Sequence, residues 1–165
     1  MKLLIGYASK SGCAREMATM LAEQLPRHEI TLCDLAVEQP DPTAFDYAVV
    51  GGSIRINKVH KALRRYLEKY GEALERVPHT LFLCCAFAEY LDHYYAVAFP
   101  RELRESADEL VYFGGDLSLS RQKGIDKWLT RMIRNSILES EEENAVLPTL
   151  LPEHVRALAD RLRKK

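Results

Sequence analysis

At 165 residues the chain is long enough to bury one ordinary hydrophobic core. Apolar residues make up 47% of it and charged residues 28%, a globular composition that excludes intrinsic disorder. No apolar run approaches the ~18 residues of a membrane span, and a formal net charge of −1 recommends neither a nucleic-acid nor a membrane partner.

The chain enters almost at once into an apolar run, Lys2–Ala8. It is too short for a signal peptide and ends in a glycine-containing loop, so a cytoplasmic protein is expected. Such a run fits a strand covered on both faces. Residues 13–25 place Met17, Ala18, Leu21, Ala22 and Leu25 on one helical stripe, with Pro26 just beyond. Residues 29–33 alternate as an edge strand would, and 38–43, with two prolines and two acids, read as a loop. A second apolar strand over 46–52 is closed by Gly51-Gly52-Ser53. The spacing of Val59, Leu63, Tyr66, Leu67, Tyr70 and Leu74 predicts a helix over 59–74. A strand follows over 80–87, then a helix over 94–105 that Pro100 should break or kink, then a strand over 109–113. A helix over 121–138 and a closing helix over 151–163 complete the chain. Strands alternating with helices define an α/β fold with a parallel, doubly wound sheet of five strands. In such sheets ligands sit beyond the carboxyl ends of the strands, where strand order reverses. That points to the loops after Ala8, Gly52, Phe87 and Gly115.

The four cysteines form no C-x-x-C pair, and Cys84 and Cys85, as strand neighbours, point to opposite faces. They read as small buried hydrophobes. The five histidines show no metal-ligand spacing, and no catalytic triad or carboxylate pair is apparent.

The first loop, Ser9-Lys10-Ser11-Gly12-Cys13-Ala14, carries two hydroxyls and a glycine at the start of a helix. Free amides and the helix dipole make that a site for a phosphate; an N-capped turn explains the same residues. Neither the P-loop nor the G-x-G-x-x-G fingerprint is present, which disfavours ATP and NAD.

This loop resembles the flavodoxin signature T/S-x-T/S-G-x-T at Ser9, Ser11 and Gly12, with Ala14 where a threonine is usual. The resemblance implies one flavodoxin-like domain over residues 1–165, a three-layer α/β/α sandwich, with FMN as cofactor. Ala14 loses a hydroxyl to the phosphate but keeps its amide, Lys10 would add a compensating charge, and Cys13 lies in the same loop. The stretch Gly51-Gly52-Ser53-Ile54-Arg55, followed by His60, is similar to a loop of menaquinone-dependent protoporphyrinogen oxidases, whose work lies in haem biosynthesis. By that resemblance the loop Ser53, Ile54, Arg55, Ile56 and Asn57 lies at one face of the flavin, which Ile56 and the backbone cover, with Arg55 or Asn57 near the ring edge or the substrate. A solvated loop arginine also explains Arg55. Ala86, Phe87, Glu89 and Tyr90 approach the other face, with Phe87 or Tyr90 stacking or simply packing beneath the loop. Asp116 follows the last strand. His60 suits a helix cap better than a site.

On a helical wheel Ile125, Trp128, Leu129, Met132, Ile133 and Ile137 of the 121–138 helix share one side. Lys123, Lys127 and Arg134 lie opposite, with Arg131 on the flank. Such a helix fits peripheral contact with a membrane, or simple packing on the domain; the acids of 139–143 could neutralise its basic face. The family resemblance implies a porphyrinogen donor, a membrane quinone acceptor and an enzyme that passes electrons between them. The alternatives are a flavodoxin-type electron carrier with no substrate of its own, or a domain that has lost FMN. Carriers of that type are strongly acidic, and this chain is not.

Overall fold

Leu3, Leu4 and Ile5 are all fully buried, which three consecutive strand residues achieve only when both faces of the sheet are covered. A computed structural model describes residues 1–55, 57–117, 124–139 and 147–165, with the backbone alone at 125, 126 and 139. In chain order the elements are β1 (Lys2–Ala8), α1 (Cys13–Glu23), β2 (Glu29–Asp34), β3 (Tyr47–Arg55), β4 (Lys58–Val59) and α2 (Lys61–Glu75). They continue with β5 (His79–Cys84), α3 (Leu91–Ala98), α4 (Arg101–Ser106), β6 (Glu109–Tyr112), α5 (Ile125–Glu139) and α6 (Pro152–Leu162).

Five strands form a parallel sheet in the order β2-β1-β3-β5-β6, and β4 pairs antiparallel with the end of β3. Alternate strand residues feed two cores. On one face Leu4, Val50, Leu81 and Leu83 meet Leu63 and Tyr66 of α2 and Leu103 of α4. On the other Leu3, Ile5, Val49 and Phe82 meet Met17 and Leu21 of α1 and Val155 and Leu158 of α6. Cys84 belongs to the second core and Cys85 to the first, and all four thiols are free and buried.

Three boundaries differ from the sequence reading by more than two residues, and Val59, expected to open a helix, belongs to β4 instead. The strand expected over 46–52 runs on to Arg55, because Ser53 still pairs with Cys84 and Ile54 and Arg55 then pair with the returning β4. Asn57 makes the turn with a φ of 56°, a left-handed conformation that asparagine tolerates better than most residues. The strand expected over 80–87 stops at Cys84, since Cys85 N–H is taken by Gly114 C=O instead. The helix expected over 94–105 is two helices. Phe99, as the residue before Pro100, is driven to extended geometry (φ −131°, ψ 136°) and separates α3 from α4. The basic helix is seen from Ile125, and its expected first turn, 121–123, lies outside the described residues with the acids of 140–143.

Strand order reverses between β1 and β3, so the loops at their carboxyl ends frame the switch point of the sheet.

Candidate functional site

A cleft of about 180 Å³ opens at that point. Its floor at one end is the turn from β1 into α1, where Lys10, Ser11 and Cys13 line it. Gly12 is the N-cap with φ 91° and offers no side chain, so the first-turn amides of α1 have no capping acceptor from that residue. Gly12 N–H donates to Ser9 Oγ at 3.0 Å, which uses a lone pair of Ser9 and leaves its O–H to donate. Ser11 Oγ donates to Cys13 Sγ at 3.4 Å, a weak acceptor readily exchanged for an anionic oxygen.

One side of the cleft is the β3–β4 hairpin, contributing Ser53, Ile54, Arg55 and Asn57. The other is the turn after β5, with Cys84, Cys85, Ala86 and Phe87, backed by Tyr94 of α3. Gly115, Asp116 and Leu117 lie against that turn. A Cβ on Gly115 would stand 2.1 Å from Cys85 C=O, so only glycine permits this approach. The last wall is α5, through Leu129, Thr130 and Ile133. Arg55 Nη2 reaches 3.5 Å from Thr130 Oγ1, a long contact linking hairpin and helix.

Burial raises the Cys85 thiol to about 12, and raises those of Cys84 and the Tyr94 phenol as well. Cys84, Cys85 and Tyr94 are therefore held neutral at ordinary pH. Among the described residues no histidine lines the cleft, and Asp116 is the one carboxylate that does. Such a lining suits binding and orientation of a ligand with an anionic end and a flat, partly apolar body.

Of the residues expected at the site, Lys10, Ser11, Cys13, Ser53, Ile54, Arg55, Asn57, Ala86, Phe87 and Asp116 line the cleft. Ser9 and Gly12 shape the turn beneath it. Ala14 is fully buried in the core under α1, so its side chain faces the sheet. Glu89 and Tyr90 stand outside the lining on an exposed 3-10 turn, Tyr90 edge-on to Tyr94 with ring centroids 6.2 Å apart. Ile56 lies outside the described residues. His60 caps α2, its Nδ1 accepting from Ala62 N–H at 3.2 Å. Leu129, Thr130, Ile133 and Tyr94 were not anticipated. Leu129 and Ile133 belong to a visible apolar stripe, but a wheel does not say which element the stripe meets.

This arrangement of sheet and cleft is that of a flavodoxin-like protein, and the chain belongs to the flavodoxin domain family, whose model matches residues 4–144. It is similar to protoporphyrinogen IX dehydrogenase [quinone] of Escherichia coli strain K12, 26% identical over 143 residues that cover 81% of this chain and 78% of the relative. Among solved structures it resembles the Fusobacterium nucleatum flavodoxin bound to flavin mononucleotide, with a TM-score of 0.58 and 10% identity over 99% of this chain and 97% of that one. It also resembles the rubredoxin oxygen:oxidoreductase of Desulfovibrio gigas, with a TM-score of 0.53 and 13% identity. There the match takes in 99% of this chain but only 36% of the other. The two structural likenesses concern the fold.

Proposed function

We propose that the chain binds FMN in this cleft and acts as an oxidoreductase of the protoporphyrinogen IX dehydrogenase type, taking electrons from a porphyrinogen and passing them to a quinone. The residues present fit the cofactor. Gly12 in its left-handed turn, the Ser9 and Ser11 hydroxyls and Lys10 gather at the N-terminus of α1 to receive the phosphate. The space between the hairpin and the Cys85–Phe87 turn suits the ring system. When bound, FMN supplies the two-electron redox chemistry. The chain's own residues hold and orient it, with Arg55 at the hairpin and Asp116 opposite as the charged groups near a substrate.

The observation that carries an enzyme rather than a carrier is the α5 wall. A carrier must present its flavin edge to another protein. Here Leu129, Thr130 and Ile133 line the cleft, so on this reading an apolar wall stands beside the flavin where a small, flat, apolar reactant can approach. The reading also agrees with the curated relative, whose name states a quinone acceptor. A quinone dissolved in a membrane calls for peripheral contact, since no helix among the described residues is long and apolar enough to cross one.

The test has two stages. Purified protein should carry flavin absorbance near one FMN per chain or take it up on titration. Anaerobic mixing of the loaded protein with protoporphyrinogen and a menaquinone analogue should then yield porphyrin well above the rate without protein. Colourless protein that ignores added FMN would overturn the whole reading; loaded protein with no stimulated porphyrin formation would overturn the substrate assignment.

A further inference from the structure

Cys85 joins β5 to the turn that walls the cleft, and both of its backbone groups are engaged. Its N–H donates to Gly114 C=O at 2.9 Å. Its C=O accepts the Tyr112 phenol, also at 2.9 Å. Tyr112 stands opposite Leu83 in the β5–β6 pairing, half-buried against the core that holds Leu83 and outside the lining of the cleft. Burial pushes its phenol up to about 12, with Cys85, Cys84 and Glu89 acting the same way, so it stays a donor at ordinary pH. The Tyr112 backbone is held as well, its C=O accepting from His154 Nδ1 at 2.6 Å. The direction of the next amide follows from the phenol's bond. In a trans peptide the C=O and N–H point in opposite directions, and no peptide among the described residues is cis. Ala86 N–H is therefore directed away from Tyr112, and among the described residues it has no hydrogen-bond partner. Ala86 and Gly115 both line the cleft. The peptide lies close on Gly115, where an added Cβ would stand 2.1 Å from Cys85 O and 2.6 Å from Ala86 N. A backbone donor left unpaired beside a cleft is ready for an acceptor on a ligand.

We propose that Tyr112 is a positioning residue: through the Cys85 carbonyl it turns the Ala86 N–H into the cleft, where that amide meets the negative charge a bound flavin gains on reduction. This role rests on the FMN reading above and deepens it, because it names a group that sets the cofactor's potential. A donor fixed in direction before the charge arrives stabilises that charge without reorganising. A hydrogen bond to a charged group is also roughly twice as strong as one between neutral groups, so the amide favours the reduced cofactor over the oxidised one. Without the phenol, the Cys85 carbonyl has lost its donor and turns toward water. The Ala86 amide, in the same rigid peptide plane, then turns out of line with the cleft.

The test compares the FMN-loaded full chain with Tyr112→Phe, which removes one oxygen and keeps the ring. Fluorescence quenching gives the affinity for oxidised FMN, and dithionite titration against a reference dye gives the midpoint potential. The variant should lose roughly tenfold more affinity for reduced FMN than for oxidised FMN, which lowers the two-electron midpoint by about 30 mV. A Tyr112 that only supports the fold would lower Tm and leave the potential where it was. That result overturns the proposal, as does a potential that rises. A second measurement needs no variant: in the 15N-labelled parent the Ala86 amide resonance should move downfield as FMN is added. An Ala86 resonance that FMN leaves in place overturns the proposal whatever the variant does. Parent protein that takes up no FMN sinks the cofactor reading and this role with it. Parent and variant that both load FMN and share one potential sink the role of Tyr112 alone.

Discussion

His93 Nε2 donates to Asn57 Oδ1 at 2.8 Å, tying the tip of the β3–β4 hairpin to α3. Asn57 is the turning residue of that hairpin and lines the cleft, whereas His93 does not. The bond therefore holds the hairpin in place from outside. Replacing His93 with alanine should weaken FMN binding about two- to tenfold, the value of one hydrogen bond of about 0.5–1.5 kcal/mol. His93→Gln, which can donate from a similar position, should recover most of the loss. Quenching of flavin fluorescence on titration measures both, and an alanine variant that binds like the parent would refute the tie.

Two glycines should respond in opposite ways. Gly12, at φ 91°, sits where an L side chain costs about 1–2 kcal/mol. Gly12→Ala should therefore cost stability and, by moving the turn under the phosphate, lower FMN affinity at least as much. Gly71 lies inside α2 with nothing within 4 Å of an added Cβ. Gly71→Ala should stabilise by about 0.5–1 kcal/mol, raising Tm by about 1–4 °C without touching FMN affinity. Thermal melts and flavin titrations of both variants decide the matter.

The thiols should be slow to react. Burial lifts Cys33 to about 11 and Cys85 to about 12, and holds Cys84 up as well. Since the thiolate is the reactive form, the native protein near pH 8 should give little reaction at these three with a disulfide reagent, and all four thiols should titrate in denaturant. Rapid native labelling of Cys33, Cys84 or Cys85, located by peptide mapping, would contradict the burial described.

Much of this architecture can be read from the chain because the signals are local. Lys2–Ala8 is apolar throughout, Pro100 sits where a helix must break, and glycine and hydroxyl residues follow the first strand directly. What escapes is pairing and direction. Nothing local in Ser53-Ile54-Arg55 says that the strand continues, since it does so only because Lys58 and Val59 return to pair with it. Equally, Leu129 and Trp128 are neighbours with the same hydrophobic character. Only the position of the cleft decides that one covers it while the other faces outward. Glu89 and Tyr90 fall outside the lining for a related reason: β5 ends at Cys84, so the chain turns away into a 3-10 segment earlier than its apolar run suggests.

His60 makes the start of α2 sensitive to pH. Its Nδ1 must keep a lone pair to accept Ala62 N–H, which only an imidazole unprotonated at that atom provides. Burial lowers its pKa, with Lys61 and Lys10 acting in the same direction and Asp34 against them. A histidine whose folded pKa lies below its unfolded value contributes stability fully above about 6.5. That contribution is lost as pH falls from there toward the folded pKa, because the unfolded chain then binds more protons. Urea midpoints should accordingly decline between about pH 7 and pH 5. His60→Ser should keep the cap and flatten that part of the decline, while His60→Ala should lose about 1 kcal/mol at pH 7.5 and be equally flat. If the parent and the serine variant fall in parallel over this range, the pH dependence originates elsewhere in the fold.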